Sequence, residues 1–92
     1  MRTAVYAGSF DPITRGHEDL IHRSLAFVDR IVVAVATNIS KQPLFTLEER
    51  VAFVRAAVGD DPRIDVQQFN GLLVQFARTV GANLIILSLI HI

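Results

Sequence analysis

The 92-residue sequence has no cysteine, and its nine basic and nine acidic residues leave a formal net charge of zero. The absence of cysteine excludes disulfides and thiolate metal sites and is compatible with a reducing cytosol. The balanced charge, with no basic stripe, gives no indication of a nucleic-acid partner. No apolar stretch approaches the ~20 residues that a membrane-spanning helix requires, and no signal-peptide core follows the first residues. We therefore expect a cytoplasmic protein that contacts neither nucleic acid nor membrane.

Apolar residues make up 51% of the chain and fall into alternating strand-like and helix-like segments. The run 31–36 is apolar throughout, which is typical of a strand that is covered on both faces of a parallel sheet. The run 64–69 alternates between apolar and polar residues, which favours an edge strand. The predicted order is βαβαβαβ, an α/β fold with a Rossmann-like parallel sheet flanked by helices. The predicted segments are strands 3–7, 31–36, 64–69 and 84 onward, and helices 18–28, 46–58 and 70–80.

Helix ends are marked by local signals. Thr46 and Glu49 have the spacing of a capping box, so the helix should begin directly after Thr46. Gly59 and Gly81 are placed to end the second and third helices in the left-handed conformation. Asn70 is the residue we expect to cap the start of the third helix.

The stretch 6–17 connects the first strand to the first helix and is the place where we expect the function. Gly8 permits close backbone approach, and Asp11 before Pro12 favours an extended turn. Gly16 and His17 are expected in the first turn of the helix that follows, whose N-terminus offers free N–H groups to an anion, and His17 adds a donor. The spacing fits neither G-x-G-x-x-G nor the P-loop motif.

The motif Thr14-x-Gly16-His17 resembles the (His or Thr)-x-Gly-His signature of a superfamily of nucleotidyltransferases. Two longer stretches make the resemblance more specific, because together they are similar to bacterial phosphopantetheine adenylyltransferases. They are Gly-Ser-Phe-Asp-Pro-Ile-Thr-x-Gly-His at 8–17 and Ser-Lys-x-Pro-x-Phe-Thr-Leu-Glu-Glu-Arg at 40–50. The resemblance covers about residues 2–86. Related adenylyltransferases and cytidylyltransferases of the superfamily are the alternative, although they generally carry His at the position of Thr14.

The resemblance implies transfer of AMP from Mg²⁺-bound ATP to 4′-phosphopantetheine, which gives dephospho-coenzyme A and pyrophosphate. It implies that Ser9 contacts both substrates, that the Phe10 backbone contacts ATP, and that His17 stabilises the transition state at the α-phosphate. It also implies that Lys41 binds the attacking phosphate and that Leu73 lines the pantetheine arm. Mg²⁺ would arrive on the ATP oxygens rather than in a protein cage. Three of these residues also have a structural interpretation: a structural role in the first helical turn for His17, a solvated loop position for Lys41 and core packing for Leu73.

The chain departs from the resemblance at its end. The family continues with Arg-Gly-Leu-Arg, whereas residues 87–92 read Leu-Ser-Leu-Ile-His-Ile. We therefore expect a nucleotidyltransferase domain over residues 1–86 and a tail at 87–92 that is unrelated to the family. We also expect the 92-residue chain to be inactive by itself. Three hypotheses therefore stand: an adenylyltransferase whose sequence is incomplete here, a non-catalytic phosphate-binding fragment, and a small module that acts through protein contacts. The resemblance implies a hexameric assembly.

Overall fold

The computed structural model describes residues 2–37 and 43–87, with Leu87 described by its backbone alone. Strands and helices alternate along the chain, as the sequence predicts, in an α/β Rossmann-like arrangement. No helix in the described ranges combines the length and apolar character needed to cross a membrane. The elements are β1 (Thr3–Gly8), α1 (Arg15–Ser24), β2 (Arg30–Ala36), α2 (Leu47–Val58), β3 (Ile64–Phe69), α3 (Leu73–Thr79) and β4 (Leu84–Leu87).

The four strands form a parallel sheet in the order β3-β2-β1-β4. The chain moves outward from β1 to β2 and β3, and then crosses back to the other side of β1. This reversal makes the gap between β1 and β4 a topological switch point, where ligands of open parallel sheets bind beyond the carboxyl ends of the strands. The segment that follows Gly8 lies at this point.

Both faces of the central strands are buried, as the uninterrupted apolar run 31–36 predicts. One face packs against α1 and α2, which contribute Ile21, Val54 and Val58. The opposite face packs against α3 through Ala77 and consists of small side chains on β1 and β2, among them Ala7 and Ala34. The strand β3 lies at the edge of the sheet and is less buried, in agreement with its alternating pattern.

The first helix lies three to four residues earlier in the chain than the predicted range 18–28. The helix α1 begins at Arg15 because Thr14 caps it, and it ends at Ser24. Ala26 and Phe27 instead donate their N–H groups to carbonyls only three residues back, those of Arg23 and Ser24, in tighter turns. Leu20, an apolar residue of α1, is 36% exposed.

The prediction that Asn70 caps the third helix was also wrong. The N-cap of α3 is Leu72, and no side-chain hydrogen bond is made at this cap. The helix starts at Leu73 because the left-handed Gly71, at φ 87°, turns the chain after β3. In contrast, Thr46 and Glu49 form the predicted capping box of α2, and Gly59 ends that helix at φ 70°.

Candidate functional site

The turn at residues 9–14 leaves the carboxyl end of β1 and leads into α1. It carries Ser9 and Phe10, and His17 follows in the first helical turn. Thr37 after β2 and residues 70–72 before α3 lie at the same edge of the sheet, because all strands run parallel. This edge, formed by the carboxyl ends of the strands, therefore carries the N-terminus of α1 as well.

Thr14 and His17 form a capping box in which histidine takes the place of the usual Glu or Gln. The Thr14 side chain accepts from the His17 N–H at 3.4 Å, and the Thr14 backbone N–H donates to His17 Nδ1 at 3.0 Å. Because Nδ1 accepts a hydrogen bond, the proton of the neutral imidazole lies on Nε2. The capping box therefore fixes both the orientation of the ring and its tautomer.

The His17 ring is packed among aromatic side chains. His17 is only 3% exposed, and its ring lies edge-on to Phe10 with centroids 5.0 Å apart. Tyr6 is the next ring, at 6.3 Å. Burial lowers the pKa of His17 below its usual value of 6.5 because the charged imidazolium is poorly solvated there. His17 is thus a neutral hydrogen-bond donor at neutral pH.

Phe10 has a buried side chain and a left-handed backbone. Its side chain is 1% exposed and belongs to the core, while its φ angle is 47°. This conformation is costly for a non-glycine residue, by roughly 1–3 kcal/mol, and it persists only where the surroundings hold it. The residue as a whole is enclosed in this structure, and the contact of its backbone with ATP that the resemblance implies stays a prediction. Ser9, immediately before it, is exposed.

Two charged residues at this edge were given no role by the sequence. Asp11 had been interpreted as a turn residue, but its two carboxylate oxygens accept the N–H groups of Leu44 and Phe45 at 2.6 and 2.8 Å. Arg50 is 2% exposed and donates from one Nη to the carbonyls of Ser9 and Ala36 at 2.9 and 2.8 Å. In the sequence, only the position of Arg50 directly after the Thr46–Glu49 capping box, within the motif at 40–50, pointed to a role for it.

The remaining predicted site residues are Leu73 and Lys41. Leu73 is the first residue of α3, is partly buried and packs against the small-residue face of the sheet. Its contact with the core agrees with the structural interpretation and leaves its predicted contact with a pantetheine arm as a prediction. Lys41 lies outside the described residues.

Other features of the described ranges lie apart from this turn. A groove of about 280 Å³ runs beside α2 and is lined by Glu48, Val51, Ala52, Arg55 and Gln68, none of which was predicted to act in the site. No cluster of three or more His, Asp or Glu side chains suited to holding a metal ion occurs within the described ranges.

The fold and the turn define a nucleotidyltransferase-type domain, and comparison with known proteins agrees. The chain belongs to the cytidylyltransferase-like family, whose model matches residues 5–91. Within that family it is similar to curated proteins named phosphopantetheine adenylyltransferase, which confirms the resemblance inferred from the motifs.

Three of these relatives illustrate the extent of the similarity. The protein of Anaeromyxobacter sp. (strain K) is 56% identical over 80 residues, which are 87% of this chain and 49% of the relative. That of Rhizorhabdus wittichii is 51% identical over 89 residues, 97% of this chain and 54% of the relative. That of Thiobacillus denitrificans is 52% identical over 82 residues, 89% of this chain and 51% of the relative. The chain thus spans about half the length of the curated relatives that it matches.

Proposed function

We propose that this chain provides the ATP-binding turn of a phosphopantetheine adenylyltransferase of coenzyme A biosynthesis. The reaction would transfer AMP from ATP to 4′-phosphopantetheine and release pyrophosphate. The names of the relatives and the specificity of the two motifs support these substrates. A cytoplasmic location and assembly into hexamers stay predictions that accompany the proposal.

The observation that carries the proposal is the state of His17. A neutral imidazole, with its proton on Nε2, is fixed by Thr14 at the N-terminus of α1, where the carboxyl end of the central strand opens. The helix N-terminus favours an anion, and a buried donor acts more strongly there than in water. This arrangement suits an α-phosphate that gains charge during reaction.

The reaction requires the protein to position the two substrates, and no covalent bond between protein and substrate is needed. An oxygen of the phosphopantetheine phosphate attacks the α-phosphorus of ATP, the bond from that phosphorus to the bridging oxygen breaks, and pyrophosphate leaves. His17 would donate from Nε2–H to a non-bridging α-phosphate oxygen, and the Phe10 backbone would hold the phosphate chain. Ser9 would orient an oxygen of either substrate, Lys41 would neutralise the attacking phosphate, and Leu73 would border the pantetheine arm.

Mg²⁺ belongs to the proposal as the companion of ATP. The described residues offer no carboxylate cluster for it, so we assign its ligands to the ATP phosphate oxygens and water. When bound, the ion supplies charge neutralisation at the phosphates.

Two other functions compete with this proposal. A non-catalytic phosphate-binding fragment would use the same turn without turnover, which fits the expectation that the 92-residue chain is inactive. Another adenylyl or cytidylyl transfer would use the same turn with a different acceptor, as the broader family description allows.

Ligand-induced stabilisation tests the proposal. A ligand that binds only the folded state stabilises it by RT ln(1 + [L]/Kd), about 2.7 kcal/mol at a hundredfold excess over Kd. We expect Mg-ATP and 4′-phosphopantetheine, added separately, to raise the melting temperature. His17→Ala should blunt the ATP effect and Lys41→Ala the phosphopantetheine effect.

The matched control is His22→Ala, which removes an exposed histidine from the same helix. It should retain the full response to ATP. CTP serves as the competitor, because a larger stabilisation by CTP than by ATP would favour a cytidylyltransferase. If neither nucleotide nor phosphopantetheine stabilises the wild-type chain, the proposed function is wrong.

A further inference from the structure

The left-handed Phe10 lies between two residues whose positions are fixed by bonds to distant segments. On its N-terminal side, the carbonyl of Ser9 accepts from Arg50 at 2.9 Å. On its C-terminal side, the carboxylate of Asp11 accepts from Leu44 and Phe45. These bonds join residues 33 to 41 positions apart in the chain.

The Asp11 bonds fix the turn to the segment that enters α2. Each carboxylate oxygen accepts one backbone N–H, and bonds to an ionised acceptor are stronger than neutral ones. Phe45 is itself held by an edge-on contact with Phe53 of α2, with ring centroids 5.0 Å apart. The turn is therefore attached to a helix rather than to a free loop.

Arg50 has no evident reason to be buried other than this attachment. Its guanidinium is almost completely enclosed, its Nε has no partner, and it forms no ion pair within the described ranges. A buried charge of this kind is expensive, and an apolar side chain of similar volume is often neutral or stabilising in its place. What the guanidinium provides is a bridge from α2 to the ends of both β1 and β2, through Ser9 and Ala36.

We propose that Arg50 and Asp11 are positioning residues that hold the Phe10 backbone in its left-handed conformation for a nucleotide phosphate. This inference rests on the proposed function for the identity of the ligand. Neither side chain needs to touch the ligand, because each acts through the neighbour of Phe10 that it holds. The strained backbone is thus preorganised before ATP arrives, and binding does not have to supply its cost.

The variant Arg50→Met tests whether Arg50 positions the Phe10 backbone or only stabilises the fold. It removes the buried charge at similar volume, so we expect the free energy of unfolding to be unchanged or raised. We expect the affinity for Mg-ATP, measured by calorimetric titration, to fall roughly tenfold or more, because small misplacements of binding groups are costly. Arg50→Lys, which retains a donor on a shorter stem, should recover part of that loss. A stably folded Arg50→Met chain that binds ATP like the wild type would overturn the proposal.

Asp11→Asn gives a second test if the Arg50 variant does not fold. An amide has one acceptor oxygen, so it can keep only one of the two bonds. The matched control is Asp29→Asn, since Asp29 also accepts a backbone N–H, from Arg2 at 2.7 Å, at the opposite edge of the sheet. Asp29→Asn can keep its single bond through the amide oxygen, so it should retain its ATP affinity, whereas Asp11→Asn loses one of two bonds and should lose ATP affinity. Equal ATP affinities for the two variants would contradict the proposal.

A measurement without ligand keeps this inference distinct from the proposed function. In Asp11→Asn, the amides of Leu44 and Phe45 should exchange faster with solvent and the amide shift of Phe10 should move, whereas Asp29→Asn should change none of these. If the wild type fails to bind ATP but these changes occur, the proposed ligand is wrong and the backbone attachment is right. If they do not occur, the positioning role is wrong whatever the ligand.

Discussion

At the scale of single residues, the functional state of His17 depends on the backbone of Thr14. The motif spacing places an imidazole in the first turn of α1, and this much could be read from the sequence. The tautomer could not, because it requires Thr14 in an extended conformation, at φ −119°, with its N–H facing Nδ1. Protonating Nδ1 would abolish that hydrogen bond, so burial and hydrogen bonding both favour the neutral ring.

The lowered pKa of His17 predicts a specific pH dependence of stability. Between the lowered folded-state pKa and the unfolded value of about 6.5, the unfolded chain binds more protons, so stability rises with pH. The contribution is complete above about pH 6.5 and is lost as pH falls through the lowered pKa. His17→Gln is the matched variant, because Gln can complete the capping box but does not titrate.

Urea unfolding of the two chains at a series of pH values measures this contribution. Relative to His17→Gln, the wild type should lose at most about 1.4 kcal/mol between about pH 7.5 and 5.5. The two other histidines are present in both chains, so the difference between the profiles reports on His17. Parallel pH profiles for the two chains would show that His17 has an ordinary pKa in the folded state.

At the scale of helices and strands, the sequence predicts the ends of a helix correctly where the capping signals lie within that helix. The helix α2 was predicted correctly because its capping box and terminal Gly59 are both contained in the segment itself. The helix α1 has a capping box too, but its third position is histidine rather than Glu or Gln, so the predicted range began within the first turn, at Glu18, instead of at Arg15. The start of α3 was misassigned because Leu72 caps it without any side-chain hydrogen bond.

The two capping boxes allow a matched comparison of helix starts. Thr14→Ala and Thr46→Ala should each destabilise the fold by about 1 kcal/mol, the usual effect of losing such a cap. Only Thr14→Ala also removes a hydroxyl that lies 2.9 Å from His17 Nδ1 and helps to orient the ring, so it should weaken ATP binding several-fold more than Thr46→Ala. Urea unfolding gives the first quantity and calorimetric titration with Mg-ATP the second. Equal weakening in both variants would mean that ATP affinity follows overall stability and not the His17 ring.

At the scale of the whole molecule, the strand order determines which segments meet at the carboxyl ends of the strands, where the candidate site lies. The alternation of strands and helices predicted the parallel sheet, and the patterns at 31–36 and 64–69 placed a covered strand and an edge strand correctly. The long-range side-chain bonds of Asp11 and Arg50 could not be predicted, since nothing local indicates that Ser9 and Ala36 will share one guanidinium. The extent of the predicted domain and tail, 1–86 and 87–92, stays a prediction. The backbone of Leu87, the last residue of β4, pairs with that of Ala7 in β1.

The central claim is that the turn after β1 binds the phosphates of ATP. The most direct test is a titration of the ¹⁵N-labelled chain with Mg-ATP, in which the amide shifts show where the nucleotide lies. We expect the largest saturable changes at Ser9, Phe10 and His17, and we expect them to disappear in His17→Ala but to persist in His22→Ala. Changes confined to the groove beside α2, or no saturable change at residues 9–17, would contradict it.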